Sequence, residues 1–374
     1  MRKTAAEFFA GIGLVRLAIE EAGFDVVFAN DIEPTKYALY AANFDASHFV
    51  LGDVRHVKGD EVPSVDLATA SFPCTDLSLA GWRKGLNGEH SSMFWEFARV
   101  LEEMADRRPQ VVMLENVASL ASSGGGRDLG CVIEELNRLG YWCDLVQLDA
   151  RWWVPQSRAR LFVVGSMERP ATSKEPEPSR IRPPWVRKFV AEHPELRMMS
   201  RPIPPPPEGR TTLPSVVESL SPGDPRWWDG LRLDRFLTAL SPSQTGRLRD
   251  LAEASEVSWR TAYRRTRCGR PMWEIRPDAI SGCLRTARGG SSRQALVEAG
   301  RGEVRVRWMT PREYARLMGA PNYRLDKVTE NQALFGLGDA VCVLAVGWLA
   351  RNYLAPLSDG VPVASSGGIN PEYE

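Results

Sequence analysis

Residues 4–14 read Thr-Ala-Ala-Glu-Phe-Phe-Ala-Gly-Ile-Gly-Leu. The apolar run 4–9 predicts a short buried strand, Gly11 and Gly13 predict a tight turn, and the apolar positions of 14–22 recur at helical spacing until Gly23 closes them. Strand, glycine turn and helix make the nucleotide-binding opening of a doubly wound α/β sheet, where glycine lets backbone approach a ligand closely. A Gly-x-Gly step by itself is a weak signal. It is strengthened by a second strand over 24–29 that ends in Asn30-Asp31-Ile32-Glu33. That puts an acid about 20 residues after the glycines, the spacing that serves ribose hydroxyls.

Working outward, a helix over 34–43 leads to a third strand ending in Gly52-Asp53-Val54, where a carboxylate can receive an adenine amino group. The fourth strand, 65–72, runs into Pro73-Cys74, and the proline stops the ladder there. Cys74 is thus offered at the carboxyl edge of the sheet, where ligands bind in such folds. Taken alone, a Pro-Cys step reads as a packed turn cysteine. After a helix over 94–105, the fifth strand, 111–114, delivers Glu115 to the same edge. Residues 81–92, with Arg83, Lys84 and His90, read either as a loop that closes on a polyanion or as a solvated loop. A helix over 129–139, a strand over 141–148, Gln156-Ser157-Arg158-Ala159-Arg160 and a strand over 161–165 finish the sheet as an antiparallel hairpin. Arg158 and Arg160 stand two apart on extended backbone and therefore share a face.

The 374 residues suggest about two domains, and 43% hydrophobic content suffices for a sizeable core. There is no run of about 18 consecutive apolar residues and no signal-like start, which predicts a cytosolic protein with no membrane role. The 6 cysteines, at 74, 131, 143, 268, 283 and 342, form no Cys-x-x-Cys pair, so neither a disulfide framework nor a metal site is expected. A formal net charge of zero conceals an asymmetry: residues 171–310 hold 25 Lys and Arg against 16 Asp and Glu, a net of +9. Of those cations 23 are arginine, which forks onto phosphate and base edges. A basic insert in an acidic body suggests a polyanionic partner.

Within that insert, residues 170–214 carry 12 of the 27 prolines and read as a linker. Residues 231–267 read as helical and basic, with Arg264 and Arg265 among clustered arginines. Residues 285–293, containing Arg285, Arg288 and Arg293, read as a loop by which backbone and arginine approach DNA. A helix over 312–318, an apolar helix within 331–356 and a polar, disordered tail from 358 complete the expectation.

In order, Phe9-Ala10-Gly11-Ile12-Gly13, Phe72-Pro73-Cys74, Glu115-Asn116-Val117, Gln156-Ser157-Arg158-Ala159-Arg160, Thr310-Pro311-Arg312-Glu313 and Arg316-Leu317-Met318-Gly319 resemble the cytosine-5 DNA methyltransferase family of the bacterial restriction-modification type. The resemblance implies a Rossmann-like doubly wound mixed sheet, the S-adenosylmethionine-dependent methyltransferase fold, with a smaller, irregular target-recognition domain. Residues 1–168 would be the catalytic and cofactor-binding domain and 169–305 the linker and target-recognition domain. Residues 306–356 would return to complete the catalytic domain, leaving 357–374 as the tail. It implies Cys74 as the nucleophile on carbon 6 of a flipped cytosine, Glu115 as the acid at ring nitrogen 3, Arg160 on the base carbonyl, and Arg158 supporting the phosphate or Glu115. For S-adenosyl-L-methionine it implies Phe9, Gly11, Ile12, Gly13 and Leu14 in the turn, Asp31 on ribose, Ile32 beside the adenine, and Asp53 and Val54 on it. Pro73 would lie beside the sulfonium, with Met93, Asp339 and Ala340 completing the set. Arg83, Lys84, Arg264, Arg265, Arg285, Arg288 and Arg293 would meet double-stranded DNA, and the chain would act as a monomer without metal. Leu14 stands where many members have a third glycine, Ile32 where an aromatic residue is common, and Asp339 where asparagine is usual. Other readings are a tRNA methyltransferase of related architecture and a catalytically silent DNA-binding protein of the same fold.

Overall fold

Strand β1 (Lys3–Phe8) is flanked on both sides by parallel partners, β2 (Phe24–Asp31) and β4 (Leu67–Ala70), which explains why its core positions other than Glu7 are small or apolar on both faces. The computed structural model describes residues 2–72, 93–170, 176–209, 211–267, 269–286 and 293–359. Pro73, Cys74, Arg83, Lys84, the 81–92 loop, Arg288 and the tail beyond 359 lie outside the described residues. With β3 (Phe49–Leu51), β5 (Val111–Val117), β6 (Trp142–Asp149) and β7 (Ala159–Ser166), the main sheet runs β3-β2-β1-β4-β5-β7-β6. β7 is antiparallel to both β5 and β6, as the hairpin reading requires.

Strand alternation sorts the core into two layers. Ala5, Val26, Leu67 and Val111 pack with α1 (Leu14–Glu20) and with the return helices α8 (Pro311–Leu317), α9 (Glu330–Asp339) and α10 (Val343–Leu349). Ala6, Phe28, Ala68 and Val112 face α3 (Met93–Glu103) and α4 (Arg127–Arg138) on the other side. α2 (Pro34–Asn43) starts with proline in its first turn and Glu33 accepting from Thr35 N, a start legible in the sequence. The helical stretch Glu330–Ser358, which ends in α11 (Ala355–Ser358), contains a window of mean hydropathy 1.9, long and apolar enough to cross a membrane. That window is 78% buried inside the protein, so its apolarity serves the core.

Three expectations are corrected. The proline-rich stretch is not a bare linker: it contains α5 (Pro184–Glu192), and it covers the outer edge of β6, with Cys143 N donating to Arg197 O, Met199 N to Cys143 O and Gln147 N to Ile181 O. An edge strand has free amide and carbonyl groups, and chain laid against it satisfies them. Residues 231–267 are helical only through α6 (Gly230–Thr238) and α7 (Pro242–Glu253); Ser258–Arg267 is strand β8. There Thr261 and Ala262 are buried between partly exposed neighbours and the aromatic and threonine content favours a sheet. The insert is not irregular either. β8, β9 (Arg270–Ile275), β10 (Ala295–Gly300) and β11 (Glu303–Trp308) form an antiparallel sheet ordered β11-β10-β8-β9, backed by Phe236 and Leu248. The boundary at 305 cuts β11, and the chain leaves this sheet between Trp308 and Pro311.

That exit is fastened by a fully buried ion pair. Arg307 and Glu313 side chains have no exposure and are joined through both guanidinium nitrogens, Arg307 Nη1 to Glu313 Oε2 at 2.9 Å and Arg307 Nη2 to Glu313 Oε1. Glu313 also accepts from Thr310 N, which closes a capping box at the start of α8, and from Glu218 N. Glu313→Ala strands a buried guanidinium, and we expect a loss of about 3–5 kcal/mol in urea unfolding. A loss below about 1 kcal/mol would show that the pair does not hold the insert to the return helix.

Candidate active site

The turn after β1 is built from left-handed backbone: Phe9 has φ 55°, Gly11 58° and Gly13 77°. Phe9 adopts this conformation against its preference, a strain common where a ligand is held. At Gly13 a Cβ would lie 2.6 Å from the Phe44 ring and 2.8 Å from Tyr40, so no side chain fits. The Tyr323 hydroxyl, from the return segment, donates to Ile12 O and holds the turn from behind. At the end of β2 the Asp31 carboxylate accepts from Gly11 N at 2.8 Å and from Glu33 N at 2.9 Å, which orients both oxygens and leaves each a further lone pair. Next to it Ile32 keeps 63% of its surface exposed. Asp53 caps the turn that follows it, accepting from Arg55 N, and takes the Arg55 guanidinium at 2.5 Å, which holds its carboxyl below the ordinary range.

Phe9, Gly11, Ile12, Asp31, Ile32, Asp53 and Arg55 line one cavity of about 1000 Å³ that continues to Glu115, Arg158 and Arg160, whereas Gly13, assigned to the cofactor from the motif, packs against Phe44 and Tyr40 and does not line it. Met93, Val54, Leu14, Asp339 and Ala340 line it as well. Glu115 receives Arg160 Nε at 2.9 Å, with side-chain exposures of 10% and 16%. Asn116 Nδ2 donates to Phe72 O at 3.1 Å and so holds the chain where it leaves β4 toward Pro73 and Cys74. Nothing in the sequence singled out Asn116 for this.

A match to the model of C-5 cytosine-specific DNA methylases extends over residues 4–354. The chain belongs to that family. The type II methyltransferase M.Bsp6I of Bacillus sp. (strain RFL6) is 35% identical over 164 residues, covering 43% of this chain and 51% of that protein. M.HhaI of Haemophilus parahaemolyticus is 32% identical over 159 residues, covering 42% and 47%. The chain thus matches about half the length of these curated relatives. Among solved structures, the S. pombe Dnmt2 methyltransferase superposes with a TM-score of 0.62 at 19% identity, covering 95% of this chain and 99% of that one. The Entamoeba histolytica methyltransferase EhMeth gives 0.60 at 13%, covering 96% and 98%. At these identities the likeness is one of fold.

Against the family pattern, Arg158 is the main correction. It supports neither Glu115 nor an open phosphate site: only 2% exposed, it donates to Leu284 O at 2.8 Å and Ala340 O at 2.5 Å. Glu115 takes its ion pair from Arg160 alone among the described residues. The arginine that enters first is enclosed by the returning chain, and its guanidinium satisfies carbonyls that would otherwise be orphaned there. Cys283 is a residue the sequence reading passed over: its Sγ lies 3.3 Å from Arg158 Nη1 and 3.9 Å from Arg160, on the wall of the cavity. Burial pushes this thiol up, but the two guanidinium groups outweigh it and the net shift is downward.

Of the arginines assigned to DNA, Arg285 lines the cavity. Arg293 is engaged internally, by Glu330 and over the Trp308 ring at 5.3 Å. Arg264 lies 5.6 Å over Trp273, and Arg265 pairs with Glu274 at 3.4 Å while staying 55% exposed. Among the described residues, no group of three or more His, Cys, Asp or Glu could hold a metal ion.

Glu7, two residues before the turn, is 1% exposed, and burial pushes its carboxyl up to about 8 against the pull of Arg16. Between its ordinary 4.5 and about 8 the folded chain keeps a proton that the unfolded chain has lost. Stability therefore falls as pH rises through that window and levels off above it. Glu7→Gln is expected to flatten this slope and to raise Tm more at pH 8 than at pH 5; equal shifts at both would contradict the assignment.

Proposed function

We propose that this chain is a DNA cytosine-5 methyltransferase that moves a methyl group from S-adenosyl-L-methionine to carbon 5 of a cytosine flipped out of duplex DNA. The observation that carries the reading is one cavity with two chemically distinct ends, the oriented Asp31 carboxylate beside the strained glycine turn and the Glu115–Arg160 pair beside the exit of β4. The first end suits the cofactor. Backbone at Gly11 leaves room for close approach, Asp31 offers acceptors to ribose hydroxyls, and exposed Ile32 gives adenine an apolar ledge in place of an aromatic ring. Phe9, Ile12, Leu14, Val54, Met93 and Ala340 supply the remaining walls, with Pro73 assigned beside them from the motif. When bound, the cofactor supplies an electrophilic methyl group on a sulfonium.

At the other end the chain's own residues prepare the base. Carbon 5 of cytosine is a poor nucleophile, so the Cys74 thiolate adds first to carbon 6 and makes an enamine able to accept the methyl group. Glu115 holds or protonates ring nitrogen 3 during that attack, which draws electrons away from carbon 6. Arg160 steadies Glu115 and donates to the base carbonyl, while Arg158 locks the wall on which both depend. Loss of the carbon 5 proton then expels the thiolate. The target atoms lie inside the duplex stack, so the base must be extruded at a cost of a few kcal/mol. Exposed cations of the insert, Arg265 and Arg285 among them, meet the phosphates. The enzyme would work in the cytoplasm on the nucleoid.

The deciding experiment is transfer of label from methyl-tritiated S-adenosylmethionine to duplex DNA and, in parallel, to tRNA. Label in DNA is expected, absent with Cys74→Ser and slowed by about 100-fold or more with Glu115→Gln, whose cofactor affinity stays near normal. Label in tRNA alone would replace the substrate class, and DNA binding without transfer would favour a silent DNA-binding protein. With the net +9 insert as the contact surface, DNA affinity should fall steeply between low and moderate salt. A flat salt response would remove the insert from the interface.

A further inference from the structure

Lys36 and Asp339 meet across the mouth of the cavity, Nζ to Oδ2 at 2.5 Å, from the first turn of α2 and the last residue of α9. Both line the cavity. The lysine side chain is only 17% exposed, against 48% for the aspartate. Its stem lies beside the glycine turn, where a Cβ on Gly11 would stand 4.0 Å from Lys36 Cδ, and its ammonium lies 5.9 Å from the Phe335 ring. Burial disfavours the charged ammonium, but Asp339, then Asp31 and Glu33, more than restore it. A partly exposed ion pair adds little stability. A sheltered lysine among three carboxylates on a ligand cavity asks for another explanation.

We propose that Lys36 and Asp339 are the recognition site for the amino-acid end of S-adenosylmethionine, Lys36 taking the α-carboxylate and Asp339 the α-ammonium. The proposal rests on the cofactor reading above. In the free chain the two residues neutralise each other; with the ligand present each exchanges that partner for one of the same charge, so neither is left desolvated and unpaired. A lone carboxylate at 339 would repel the ligand's own carboxylate, and Lys36 removes that conflict. This explains how aspartate is tolerated where the family pattern has a neutral asparagine. It makes Lys36 a positioning residue that the family motifs do not mark.

The test is calorimetric titration of the full chain with three ligands: S-adenosylhomocysteine, 5′-methylthioadenosine, which lacks the amino-acid end, and decarboxylated S-adenosylmethionine, which keeps only the amine. Lys36→Met is expected to weaken S-adenosylhomocysteine by about 10-fold or more, as for loss of a charged hydrogen bond, and to leave methylthioadenosine and the decarboxylated ligand within about twofold. Asp339→Asn is expected to weaken both amine-bearing ligands and spare methylthioadenosine, and Lys36→Arg to retain most of the affinity. Losses shared equally by methylthioadenosine, or no loss with either variant, would overturn the assignment and leave the pair a tie between α2 and α9. A wild-type chain that takes up none of the three would overturn the cofactor reading itself.

Discussion

The enclosure of Arg158 is the constraint on which the site depends. Its guanidinium is buried, and it reaches carbonyl oxygens of Leu284, between β9 and β10 of the insert, and of Ala340, at the break between α9 and α10. Three stretches that are far apart in the chain are thereby held at one point. Gln156 works beside it, donating to Leu317 O at 2.8 Å and accepting from Leu284 N at 3.1 Å. Gly338 shows how closely these segments approach, since a Cβ there would stand 2.3 Å from Arg285 O. A guanidinium removed from water must be hydrogen-bonded, so these carbonyls have a fixed place. The wall carrying Arg160, Cys283 and Ala340 inherits that precision.

Buried charge also joins the insert to the main sheet and its helices. Arg307 and Glu313 hold β11 to α8, and Arg182 meets Asp144 at 2.5 Å under the proline-rich cover of β6, where Tyr353 also donates to Asp144 at 2.7 Å. Each pair links the middle of the chain to an element of the main fold. Removing either partner leaves a charge in a dry place, so the geometry of each junction is specified as a whole. The insert's own core is aromatic, with Trp228, Trp273 and Trp308 packed at centroid distances of 5.1–5.7 Å, and it presents arginines outward from β8.

Within the cavity, charge is distributed in matched pairs. Carboxylates gather where a nucleoside and an amino acid are proposed to lie, and guanidinium groups where an electron-poor base and its phosphate would sit. Each is already satisfied in the free chain, by backbone amides at Asp31, by Lys36 at Asp339 and by Glu115 at Arg160. Groups held in this way are oriented before a ligand arrives, and less free energy is spent in ordering them on binding.

Much of this was legible in the residues. Glycines, capping residues and hydrophobic period are local signals, and they located the elements of the first 166 residues to within a few positions; α2 over Pro34–Asn43 matched outright. The ordered motifs identified the family, because few chains carry all of them in sequence. Local pattern could not tell Arg158 from Arg160, since both face one way and they differ only in what the returning chain places opposite them. It missed β8, whose arginines mimic a basic helix until a partner strand is present to bury Thr261 and Ala262. It took a cover for a linker, because what residues 181–199 satisfy is the unpaired edge of β6 and not any pattern of their own. Lys36 and Asp339 stand 303 positions apart, and no spacing rule connects them. The sequence by itself determined the elements of the main sheet, the family and the principal residues at both ends of the cavity. Only the tertiary structure decided which charges neutralise one another, because an ion pair depends on distance in space and on the exclusion of water, and neither is written in the order of residues.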